Sequence, residues 1–152
     1  MAKRISPAWV RSARATAKPL VIHTRSASAD TLAILREEGG GAVGGVFHCF
    51  TETREVAQAA LDLGFHISFS GILTFKNAED LREVARLVPL DRCLIETDSP
   101  YLAPVPLRGK PCEPAYVVHT ARRVAELRGI PFEALCEATT ENAERRFRRP
   151  FR

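Results

Sequence analysis

Three side chains in this sequence have types and positions that suit metal-assisted hydrolysis: His23, His48 and Asp98. His23 closes the apolar run Pro19-Leu20-Val21-Ile22, His48 closes a second around Val43 to Phe47, and Asp98 follows Leu94-Ile95-Glu96-Thr97. The spacings are 25 and 50 residues, the lengths of one and two strand-plus-helix units. Residues that end successive parallel strands project from the carboxyl end of the sheet, where α/β proteins place their active sites. Two neutral imidazoles and a carboxylate form a ligand set for a cation that lowers the pKa of water. Taken singly, each residue also suits a plain structural role, a histidine ending a strand or an aspartate capping the next segment. The recurrence of the strand-end position in all three favours ligation.

Elements to hold these residues are readable from periodicity. Ser6-Pro7 is a helix start, with a capping residue before proline, and the stretch to Ala17 is rich in alanine and arginine. Strands are expected at 19–23, 43–48, 65–70 and 92–96, and helices at 30–38, 55–63 and 78–87, with a glycine cluster at 39–41 ending the first of these three. A proline-rich loop at 100–114 leads to two more helices, 115–128 and 132–147. Alternating helices and near-continuous apolar strands imply a parallel sheet with right-handed crossovers. Two architectures satisfy that pattern: a doubly wound sheet, complete with four strands, and part of a (β/α)8 barrel, which needs about 250 residues in full.

Composition is that of an ordinary globular domain, 45% hydrophobic and 26% charged over 152 residues. No apolar run approaches the ~20 residues of a membrane span, and the first residues lack the apolar core of a secretory signal. A cytoplasmic location without membrane contact is expected. Cys49, Cys93, Cys112 and Cys136 are scattered, so reduced thiols are expected rather than a zinc knuckle or redox pair. The pI near 9.1 comes from the ends. Residues 1–25 hold six basic side chains and no acid, residues 145–152 hold five arginines and no acid, and residues 26–144 carry 11 basic and 18 acidic side chains, a formal −7. A basic terminus either holds nucleic acid through phosphates or is a solvated end, and an organellar transit peptide is a third reading of the start.

The motifs His23-Thr24-Arg25, His48-Cys49-Phe50-Thr51, Ser68-Phe69-Ser70-Gly71, Glu96-Thr97-Asp98-Ser99-Pro100-Tyr101-Leu102, Arg108-Gly109-Lys110 and Thr139-Thr140-Glu141-Asn142 occur in the order seen in TatD-related DNases. From about Pro7 to Phe147 the chain resembles the C-terminal portion of that family. The resemblance implies an α/β, partial TIM-type (β/α)8 barrel of about four C-terminal βα units plus C-terminal helices, in one domain over residues 1–152 that lacks the front of the barrel. It implies a metal-dependent hydrolase cleaving DNA phosphodiester bonds with a divalent cation (Mg, Mn or Zn). His23, His48 and Asp98 match family ligands from strands five, six and eight. The family's H-x-H pair and a further glutamate would precede residue 1, and neither His66 nor His119 replaces them; both read as ordinary strand or helix-surface residues. Cys112 stands where the family usually has asparagine.

Arg25, Arg108, Lys110 and Tyr101 are the expected substrate contacts, and single-stranded DNA or 3′ ends the expected partner. Arginine suits bidentate phosphate binding, and Phe50 and Tyr101 are candidates to stack on a base. Against each stands a plain reading as loop charge or packing. Glu96 alternates onto the face of Asp98 and is placed to fix a ligand or cation, or to form a structural salt bridge. Four units of a barrel leave unpaired edge strands, so self-association through those edges is expected. Two other readings remain open: an amidohydrolase-like enzyme for a small amide or ester, and an inactive half-barrel that binds metal or another subunit without turnover.

Overall fold

The computed structural model describes residues 5–148. Helix α1 (Pro7–Thr16) starts where Ser6 Oγ accepts the Ala8 N–H, and ends as Ala17 turns into the left-handed region. Then follow β1 (Leu20–Ile22), α2 (Ser28–Glu37), β2 (Gly45–Phe47), α3 (Arg54–Asp62), β3 (Phe65–Phe69), α4 (Glu79–Leu87) and β4 (Cys93–Ile95). A long loop and one 3₁₀ turn (Pro114–Tyr116) lead to α5 (Val117–Arg128) and α6 (Phe132–Phe147). Every element expected from the sequence is present. The strands are shorter than expected because Gly40–Ala42 forms a 3₁₀ turn ahead of β2, and His23, His48 and Glu96 lie just past strand ends.

The four strands pair in parallel in the order β1-β2-β3-β4. A doubly wound sheet reverses direction after its first pairs, whereas uninterrupted sequential order is how a (β/α) barrel advances. The fold is therefore a partial barrel. Register gives each strand two faces. Phe47 pairs with Ile67 and Ile67 with Cys93, and these residues sit with Phe65 and Phe69 in the main core beneath the helices. Phe65 meets Phe47 edge-on, with ring centroids 5.4 Å apart. The other face carries Val21, Val46 and His66 in one row and Ser68 and Leu94 in the next. That is the row pattern of a barrel interior.

β1 is an edge. Val21 is 62% exposed and Trp9 of α1 70% exposed, and between them lies a groove of about 540 Å³ whose lining includes Ile5, Ala13, Leu20 and His23. The sheet approaches this edge closely: a Cβ at Gly45 would fall 2.0 Å from the Leu20 carbonyl oxygen, so only glycine lets β2 lie this close to β1.

The Thr139-Thr140-Glu141-Asn142 motif is a structural pin. Buried Asn142 donates from Nδ2 to the carbonyls of Leu90 and Cys93, both at 2.8 Å, which fixes α6 against the start of β4. All four cysteines are free thiols. Among the described residues no helix is long and apolar enough to cross a membrane. Lys3, Arg4, Arg149 and Arg152, part of the basic ends, lie outside the described residues, as does the start of the transit-peptide reading.

Candidate metal centre

The carboxyl ends of β2 and β4 bring His48, Glu96 and Asp98 together, with one ligand atom from each lying within 4.8 Å of the others. His48 Nδ1 is 2.7 Å from Glu96 Oε1, and Nε2 is 3.5 Å from Asp98 Oδ1. One imidazole thus sits between two carboxylates. The close Glu96 carboxylate raises the His48 pKa above 6.5; burial opposes it, and the charges of Glu96 and Asp98 add to the rise. A cation binding at this imidazole would compete with the proton that the two carboxylates favour.

Backbone geometry explains how Glu96 reaches its place. The Glu96 N–H donates to the Phe69 carbonyl (3.0 Å), extending the β3–β4 ladder by one residue, and the His48 N–H likewise donates to the Ile22 carbonyl (2.8 Å). Cys49 then adopts φ +46°, in the left-handed region that non-glycine residues rarely enter. Its N–H donates to Glu96 Oε2 at 3.1 Å. The Cys49 thiol contacts Ser70 Oγ at 3.4 Å, and burial pushes its pKa up, which disfavours the thiolate.

Glu96 Oε1 lies 2.7 Å from His48 Nδ1, yet the pair does not meet hydrogen-bond geometry. Oε1 is buried without a well-aligned hydrogen-bond donor. A carboxylate oxygen in that condition, beside a second carboxylate and an imidazole, suits a divalent cation. The donor set therefore fits the metal.

His23 is exposed at the end of β1; its ring centroid is 5.6 Å from that of His48, beside the three-residue cluster rather than within it. Asp98 is bridged to Tyr101 across a tight turn, the Tyr101 N–H donating to the Asp98 carbonyl at 2.8 Å, and the Tyr101 ring is 70% exposed. Arg25 is exposed just after His23. Arg108 Cζ sits 3.6 Å from the centroid of the Phe75 ring, and with Lys110 the residue lines a cavity of about 470 Å³ against Pro100 and Leu102. Arg108 and Lys110 are thus held on the loop beside the cluster, not in contact with it.

Two expectations need correction. Phe50 cannot stack on a base, because it is 2% exposed and packs edge-on against Phe47 at 6.5 Å; the left-handed turn at Cys49 sends the next side chain into the core. His66 is no ordinary strand residue either. It is 3% exposed, and neither ring nitrogen has a hydrogen-bond partner. His119 does lie partly exposed on α5, near Tyr116. At Cys112 the backbone keeps the loop closed, its N–H donating to the Pro100 carbonyl at 2.9 Å.

Gly71 had no signal beyond its motif, yet it seats the whole loop. A Cβ there would come within 2.2 Å of the Leu102 carbonyl oxygen. Gly71→Ala should force the segment after Asp98 outward and cost about 1–3 kcal/mol, the usual range for overpacking. Urea unfolding would measure the loss; a variant within error of the wild type would show that the loop yields freely.

A sequential parallel partial barrel with a histidine–carboxylate cluster at the carboxyl ends of its strands defines the class by architecture: part of a (β/α)8 barrel carrying a candidate metal centre. More particularly, the chain belongs to the TatD-related DNase family, whose profile matches residues 3–148. The metal-dependent hydrolase YcfH of Escherichia coli K12 is 62% identical over 130 residues, covering 86% of this chain and 49% of that protein. YabD of Bacillus subtilis, also named as a metal-dependent hydrolase, is 51% identical over 86% of this chain and 51% of its own. In three dimensions the chain is similar to the crystal structure of YJJV, a TatD homolog from Escherichia coli K12, with a TM-score of 0.86, 26% identity, and coverage of 93% of this chain and 54% of that one. The chain spans about half the length of the curated relatives it matches.

Proposed function

We propose that this chain carries the His48–Glu96–Asp98 side of a site for metal-dependent hydrolysis of DNA phosphodiester bonds. The observation that carries the reading is the position of the cluster: three converging ligand atoms at the carboxyl ends of parallel strands, one of them a buried oxygen without an aligned donor. His48 and Asp98 are the ligands, Glu96 holds the His48 ring through Nδ1 and can share the cation, and His23 stands ready at the rim. A carboxylate on one imidazole nitrogen leaves the other for the metal, the usual arrangement of a histidine ligand. When bound, a divalent cation supplies a lowered water pKa and neutralises charge on phosphoryl oxygens. Asp98, partly open to solvent, orients the attacking water and takes its proton.

DNA is favoured over a small amide by the cations that follow the cluster residues in the chain. Arg25 follows His23 directly, and Arg108 and Lys110 stand on the loop that begins at Asp98. Stacking on Phe75 fixes the Arg108 guanidinium without using up its N–H donors, which leaves it able to grip a phosphate. Tyr101, exposed two residues before Ala103, is placed to stack on a base of a single strand or a 3′ end.

The purified chain should degrade a 3′-labelled single-stranded oligonucleotide when Mg, Mn or Zn is added, and chelation or Asp98→Asn should abolish this. A folded sample inactive with every metal would overturn the reading in favour of a silent half-barrel.

We further propose that the β1 edge, unpaired among the described residues, seats a second copy of this chain. Its unpaired strand, with exposed Trp9 and Val21, leaves open the side of the metal face on which His23 stands. Sedimentation should show a dimer that Val21→Lys dissociates, and a monodisperse wild-type monomer would refute it.

A further inference from the structure

At the opposite end of the strands from the metal cluster lies a second cavity, of about 180 Å³, lined by His66, Asp91, Arg92, Arg145 and Arg146. His66 opens β3 on the interior row, and Arg92 directly precedes β4. Arg145 and Arg146 arrive from the last turn of α6, which Asn142 pins to the start of β4. Three guanidinium groups thus converge from two elements with one aspartate among them, a formal excess of two positive charges.

Their existing partners leave capacity unused. Arg92 Nη1 donates to the Gly64 carbonyl (3.2 Å), and Asp91 stands 4.0 Å from its Nε. Arg146 Nη1 donates to the Val43 carbonyl (2.9 Å), while its buried Nε has no acceptor. Arg145 reaches Asn142 Oδ1. Each guanidinium has five donors, and among the described residues only these acceptors meet them. His66 is the stronger sign. His66 is 3% exposed, neither ring nitrogen has a partner among the described residues, and the residue lines this cavity. Burial, then the fields of Arg146, Arg92 and Arg145, push its pKa down to about 4; Asp91 opposes them, and Arg148 beyond adds to the field on Arg146. At neutral pH it is an uncharged imidazole offering one donor, with no acceptor to receive it.

We propose that this cavity is a binding site for a phosphate-class tetrahedral oxyanion, separate from the metal cluster. An oxyanion of that kind accepts from several guanidinium forks and from the His66 N–H at once, satisfying the orphaned donors of both His66 and Arg146. The volume suffices, since a single water occupies only about 30 Å³ of liquid. The site takes either inorganic phosphate or a terminal phosphate monoester, because both present the same three-oxygen face.

The test uses the whole chain, metal-free and in chloride buffer, with His66 followed by NMR during titration with inorganic phosphate. Parallel arms use a nucleoside monophosphate, acetate, and chloride at matched ionic strength. The His66 resonances should shift saturably with phosphate, its protonation should move upward from about 4, and Arg145→Gln and Arg92→Gln should each weaken binding by about tenfold. Both positions are partly exposed, so these variants should keep the fold, and Asp98→Asn should bind phosphate as the wild type does. A monophosphate that binds like inorganic phosphate identifies the monoester as a ligand; one excluded from the site restricts it to the free ion, and either outcome supports the oxyanion site. Shifts that chloride reproduces, acetate binding as tightly as phosphate, or affinity untouched by either arginine variant would overturn the proposal.

Discussion

Glu96→Ala is expected to lower affinity for a divalent cation by about 10- to 100-fold, the range for losing a group that orients a metal-bound histidine. Glu96 makes two contacts that nothing else in the described structure replaces. Through Oε1 it fixes the His48 ring at 2.7 Å, and through Oε2 it receives the Cys49 N–H at 3.1 Å. Without it, His48 is free to rotate and the left-handed Cys49 loses the acceptor that helps to hold its conformation. Glu96→Gln separates the two functions. A glutamine carbonyl can still accept the Cys49 N–H, so stability should stay close to wild type, while the missing charge should still weaken the metal. Calorimetric titration with Mn or Zn, beside thermal melts of all three proteins, makes the comparison. Unchanged metal affinity in both variants would mean that the cluster is an ordinary buried ion pair.

That cluster was only partly visible in the sequence. His48 and Asp98 could be found because each follows an apolar run, and the spacing of strand-plus-helix units put them on one face; His23, found by the same rule, stands beside the cluster rather than in it. Glu96 could be placed on the same face by alternation, but not at the centre, because its position depends on the turn at Cys49. Nothing in Cys49-Phe50 announces that turn, and the same turn buries Phe50. Element order was readable throughout, and sequential pairing then distinguished a barrel from a doubly wound sheet, which periodicity alone left open. Least legible were contacts between residues far apart in the chain: Arg108 on Phe75, Gly71 beneath Leu102, and the arginines of α6 around His66. Strand alternation marks which side chains share a face. It does not say which polar one faces an interior that three arginines will approach.

Arg82→Met should cost about 3–5 kcal/mol of stability, the loss expected when several charge-assisted bonds in a buried setting go at once. Arg82 is only 7% exposed, and its role is to gather carbonyls. Nη1 donates to Leu73 (3.2 Å) and Phe75 (2.7 Å), Nη2 to Lys76 (3.3 Å), and Nε to Glu79 on its own helix (2.8 Å). Methionine keeps the length and apolar stem of the side chain, so packing is largely preserved and the cost falls on the abandoned carbonyls. The Glu79 contact adds little, since that carboxylate is 61% exposed. The segment that Arg82 holds is also the floor of the loop that follows Asp98: Gly71 lies under Leu102, Thr74 Oγ1 accepts the Val105 N–H at 2.8 Å, and Phe75 carries Arg108. Weakening that floor should therefore loosen the loop bearing Tyr101, Arg108 and Lys110 before the sheet gives way. Hydrogen exchange should rise first at the Val105 amide, ahead of the amides of β3. Denaturant unfolding that shows a loss under about 1 kcal/mol would show that the three carbonyls find water instead, and that Arg82 is a surface ion-pair residue whose burial is incidental.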